Sequence, residues 1–177
     1  MYELSFMYEG ETLTERQQIL VDTVMRNINR IVDLYCLKNW CVENSVNELI
    51  IFGSRAILLN REDSDLDIMV SSYEVKGMNE DNFIEKQREA INKLYKSFGA
   101  YVIDKTIELD FKLNTSIDDS YYGISYEEDC HDCGEADFCF EWEDIPSYIS
   151  ITKDKIAFTF ADSLQNIFDE ASFLPMD

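Results

Sequence analysis

Positive charge is scarce in this chain of 177 residues: 15 Lys and Arg face 36 Asp and Glu, a formal net charge of -21. Beyond Lys112 the only basic residues are Lys153 and Lys155. Such a surface repels phosphate backbones and argues against a templated DNA or RNA polymerase; it favours basic protein faces, cationic small molecules or divalent ions. Histidine is almost absent, so a Ser-His-Asp or Cys-His arrangement would have to use His131, and nothing around that residue supports one. No apolar run approaches the length that crosses a bilayer, and Met1-Tyr2-Glu3-Leu4 lacks the basic segment of a secretory signal. A cytoplasmic protein with no membrane partner is expected. The cysteines Cys36, Cys41, Cys130, Cys133 and Cys139 are odd in number, which argues against a disulfide framework. Cys130, His131, Cys133 and Cys139 could offer three thiolates and an imidazole to zinc, but the second pair of a closed structural site is missing, so zinc is not expected. Without a Pro-rich linker or internal repeat, the chain reads as one domain with an extension.

What is present is enough apolar and aromatic residue, 46% and 13%, to bury one substantial core. From Leu13 to Leu37, Leu20, Val24, Ile28, Ile31 and Tyr35 form a helical stripe, with Thr14 and Gln17 as a capping box. Leu49-Ile50-Ile51-Phe52 reads as a strand, Arg55 to Leu59 as a short helix, and Asp65 to Val70 as a second strand. Asn82 to Phe98 places Phe83, Gln87, Ile91, Leu94 and Phe98 on one helical side and stops at Gly99. A strand over Ala100 to Ile103 is expected, and then one from Thr106 to Leu113 with Leu109, Phe111 and Leu113 on one face and Glu108, Asp110 and Lys112 on the other. This order predicts an α/β (α+β) core, a mixed sheet flanked by helices, over residues 1-115. Residues 116-177 read as an acidic α+β accessory segment packed on that core, with strands at 138-142, 148-152 and 156-160 and a closing helix at 161-171.

The chemistry is concentrated in Gly53-Ser54, ten intervening residues, and Asp65-Leu66-Asp67. The period of two turns both carboxylates to one face beside a small, bare turn. Nucleotidyl transfer needs a triphosphate held still, an acceptor hydroxyl deprotonated and a pyrophosphate leaving group neutralised. Divalent ions held by carboxylates from adjacent strands meet those needs. Asp65 and Asp67 supply two such ligands and Asp110 a third, with Glu108 on the same face as its alternative. Gly53 and Ser54 let phosphate oxygens approach backbone N–H groups at a helix start. Lys112 either touches phosphate or is an exposed strand lysine. Arg55 and Arg61 are placed for the triphosphate by position alone, with solvation as the alternative.

Phe52-Gly53-Ser54-Arg55-Ala56, Asp65-Leu66-Asp67 and Leu109-Asp110-Phe111 resemble the DNA polymerase β-like nucleotidyltransferases, and the spacing is most similar to the minimal, antitoxin-type members. The resemblance spans Val46 to Leu113. It implies that Gly53 and Ser54 contact the triphosphate. It further implies that Asp65, Asp67 and Asp110 bind Mg²⁺ or Mn²⁺, and that Asp110 helps activate the acceptor. The expected reaction is transfer of NMP, AMP from ATP, to a hydroxyl, on a basic partner protein as in antitoxin-type AMPylation. A cationic small molecule such as an antibiotic is the alternative acceptor. An acidic binding module or nucleic-acid mimic that contacts a basic partner without catalysis is the alternative from another class.

Overall fold

The computed structural model describes residues 15–117, 120–125 and 147–160. Helices α1 (Glu15–Asn29) and α2 (Leu34–Glu43) lead into β1 (Glu48–Phe52), a single 3-10 turn (Ser54–Ile57) and β2 (Leu66–Tyr73). Helix α3 (Phe83–Phe98), β3 (Leu109–Ile117), β4 (Ser120–Ser125), β5 (Ser147–Ile151) and β6 (Ile156–Phe160) follow. The six strands form one sheet in the order β4-β3-β2-β1-β5-β6. Helix α3 is the crossover that allows β2 and β3 to run parallel, while every other pair is antiparallel. The mixed α+β architecture anticipated from the sequence is therefore observed. Strands β4, β5 and β6, from beyond residue 115, continue the same sheet.

One face of the sheet is covered. Apolar side chains of α1, α2 and α3 join Leu49, Ile51, Ile68, Val70, Phe111, Leu113, Ile149 and Ile151 in a single buried cluster. Trp40 lies at its centre, edge-on to Phe98 with ring centroids 5.3 Å apart and edge-on to Phe111 at 6.4 Å. Its indole Nε1 donates to Ser97 Oγ, which satisfies the polar end of an otherwise buried ring. Alternation along each strand sends the intervening residues to the opposite face. There Ile50 and Met69 make a small apolar patch with Phe52 and Tyr148.

Several expected elements differ, and the strand expected from Thr106 begins only at Leu109. The helix expected over 13–37 is two helices, because Asp33 caps a new one by accepting from Cys36 N–H at 3.2 Å, and Asn29 Oδ1 takes the Leu34 N–H. The new phase leaves Tyr35 exposed, off the stripe. The segment 100–103 does not form a strand. Its backbone is satisfied at the junction of α1 and α2, where Asp33 N–H donates to Tyr101 O and Ile103 N–H to Ile31 O, and only Val102 bridges Val32. Helix α3 ends as expected before Gly99, but Gly99 is right-handed (φ -55°) and continues into a 3-10 turn, so it supplies no left-handed cap. The Thr14–Gln17 capping box, the cysteines from 130 onward, the 138–142 strand and the 161–171 helix lie outside the described residues.

Candidate active site

Strand register assembles the site on the sheet face opposite the large buried cluster. In the pairing of β1 with β2, Phe52 is opposite Asp67; in the parallel pairing of β2 with β3, Asp67 is opposite Asp110. Asp65 stands two residues earlier, where the loop enters β2. One carboxylate oxygen from each of Asp65, Asp67 and Asp110 lies within 4.8 Å of the other two. Asp67 and Asp110 are half-buried, and Asp65 is the most open of the three. Among the described residues this is the group of acids able to share one cation, and Asp110 rather than Glu108 completes it.

The turn after β1 is shaped around Asp67. Gly53 has φ 74° and ψ -163°, a backbone region open essentially to glycine alone. A Cβ there would lie 1.8 Å from Asp67 Oδ2. The turn thus lays bare backbone against the central carboxylate. The short helix expected at Arg55–Leu59 is a 3-10 turn over Ser54–Ile57, too short for its dipole to contribute much at this point.

Burial and neighbouring charges set the electrostatics of the site. Burial pushes the Asp67 carboxyl up to about 6, with Asp65 adding to the rise, Lys112 opposing it and Asp110 adding further through charge and a hydrogen bond. Lys112 Nζ lies 2.6 Å from Asp110 Oδ2 and 5.4 Å from the centroid of the Phe52 ring. Its ammonium offsets part of the negative charge at the edge of the site. Hard oxygen donors crowded together and backed by a Cβ-free turn fit a divalent cation such as Mg²⁺ or Mn²⁺.

Gly53, Ser54, Asp65, Asp67, Asp110 and Lys112 are therefore brought to one place. Arg55 points elsewhere. Its Nε donates to Ser64 O at 2.9 Å and Asp65 O at 3.1 Å, and its Nη2 donates to Glu62 O at 3.1 Å and to Ser64 O. Phe52 and Ser64 are neighbours of the site that the sequence reading did not single out. Phe52 closes an apolar strand and heads the Gly-Ser motif without a polar group of its own, and Ser64 belongs to no motif.

A glycine turn laid against converging carboxylates could hold a divalent ion, the kind of centre that phosphoryl chemistry uses. Residues 35–128, more than half of the chain, match the nucleotidyltransferase domain, and the chain belongs to that family. It is an enzyme of the nucleotidyltransferase type, with a nucleoside triphosphate as substrate. Comparison with curated proteins and with solved structures gave no match. Among the described residues no helix is long and apolar enough to cross a membrane.

Proposed function

We propose that the protein transfers AMP from ATP to a hydroxyl on a basic partner protein, in the manner of an antitoxin-type AMPylating enzyme. The reading is carried by the convergence of Asp65, Asp67 and Asp110 beside the Gly53 turn. Asp65 and Asp67 hold the divalent ion, and when bound this ion neutralises charge on the triphosphate and lowers the pKa of coordinated oxygen. Asp110 orients the acceptor hydroxyl and takes its proton. Gly53 and Ser54 present backbone to the phosphates, and Lys112 supplies positive charge beside them. A basic acceptor is favoured by the net charge of -21 and by the absence of any Lys or Arg between Leu113 and Thr152, so the acidic segment 116–177 is the surface proposed to meet it.

Incubating the protein with Mg²⁺ and each labelled nucleoside triphosphate, alone and with cell lysate, tests this reading. Label from ATP transferred to a basic protein, with release of pyrophosphate, is the expected result. Label on a cationic small molecule would move the acceptor to that class. No transfer, no pyrophosphate and no nucleotide binding would leave the acidic binding module as the function.

A further inference from the structure

Asp65 is the one acid of the triad that no strand holds, since β2 begins at Leu66. Its loop is exposed at Arg61, Glu62 and Asp63, and two of those residues repel the triad by charge. Within the loop, Arg61 N–H donates to Ser64 Oγ and Ser64 N–H to Arg61 O, which shape a turn without tying it to the fold. The tie comes from Arg55, whose fixed guanidinium fork gathers the carbonyls of Glu62, Ser64 and Asp65. Arg55 is itself well founded. The next residue, Ala56, is fully buried, its N–H donates to Gly53 O, and the turn packs against α1 and β5.

We propose that Arg55 is a positioning residue for Asp65: it sets the backbone of Glu62–Asp65, and so the place of the Asp65 carboxylate relative to Asp67 and Asp110, instead of contacting the triphosphate. The proposal rests on the metal-site reading above. It gives the segment between Gly-Ser and Asp-x-Asp a physical function, because one side chain from the start of that segment closes it onto its own end. A guanidinium suits the task, since it always carries its charge and reaches several carbonyls from one plane, whereas a lysine offers a single centre.

The test compares wild type with Arg55→Gln and Arg55→Lys. Binding of Mn²⁺ alone is measured by titration calorimetry, amide exchange at Arg61 and Ser64 is measured in metal-free protein, and the melting temperature serves as a control. Arg55→Gln is expected to bind Mn²⁺ about 10- to 100-fold more weakly, the usual effect of removing a residue that orients a metal ligand. Loop exchange should quicken while the sheet amides stay protected, and Arg55→Lys, which retains a cation, should recover part of both effects. Unchanged Mn²⁺ affinity and unchanged loop exchange, with or without a raised KM for the triphosphate, would overturn the proposal. If wild type binds no Mn²⁺, the metal-site reading falls, and loop exchange alone then decides whether Arg55 tethers the loop.

Discussion

Gly53 and Asp67 occupy each other's space: the position of a Cβ on Gly53 is 1.8 Å from the Asp67 Oδ2 atom. Any side chain at 53 must displace the central carboxylate, and the positive φ penalises it independently. Gly53→Ala is expected to lose about 1–3 kcal/mol of stability, the usual cost of forcing such a backbone region, together with most divalent-ion binding. Chemical denaturation and Mn²⁺ titration check the two effects. A variant as stable as wild type that binds Mn²⁺ equally well would show that the turn relaxes away from Asp67.

Asp67→Asn should separate stability from activity. Burial pushes the Asp67 carboxyl up to about 6 in the folded protein, against an ordinary value of 3.8. Between those values the folded state binds more protons than the unfolded state, so the metal-free protein loses stability as pH rises through this window, and the penalty stands in full above it. The neutral amide removes that penalty. Discounted for partial exposure, the gain is about 1 kcal/mol at pH 8 and vanishes below pH 4, while nucleotidyl transfer is abolished. Denaturation midpoints at pH 4 and pH 8 test this, and a variant less stable than wild type at pH 8 would contradict it.

Divalent ion and proton compete for the same oxygens. Mn²⁺ should raise the melting temperature clearly at pH 8, and the increment should shrink as pH falls below about 6, where Asp67 holds its proton. Thermal scans with and without the ion across pH 5 to 8 measure it. An increment independent of pH would place the ion elsewhere.

Lys112 divides its influence between Asp110 and Asp67. The pair it forms with Asp110 is partly exposed, with side-chain exposures of 24% and 30%, so Lys112→Met should change stability by no more than about 1 kcal/mol. Because its charge opposes the rise in Asp67, removing it should move the pH midpoint of Mn²⁺ binding upward. An unmoved midpoint would show that the ammonium does not act on the site.

The chemistry was legible in the sequence because it rests on local periodicity. Asp65 and Asp67 differ by two, Asp110 sits on the polar side of an alternating strand, and parallel register then sets Asp67 opposite Asp110. Non-local features were hidden. Val32 and Asp33 interrupt a continuous apolar stripe with one capping side chain, so one long helix was expected where two short ones form. Its place after Gly-Ser makes Arg55 a candidate for the triphosphate by position alone, yet its partners are backbone carbonyls, which leave no trace in side-chain identity. Likewise, nothing in the 147–160 hairpin announces that its first strand pairs with β1.

The most direct test of the account is nucleotidyl transfer by wild type and by the Asp65→Asn, Asp67→Asn double variant, followed with α-labelled ATP, Mg²⁺ and cell lysate. The account predicts label on an acceptor and release of pyrophosphate for wild type, and neither for a double variant that remains folded. Equal labelling by the two proteins, or biological activity that survives the double substitution, would contradict it.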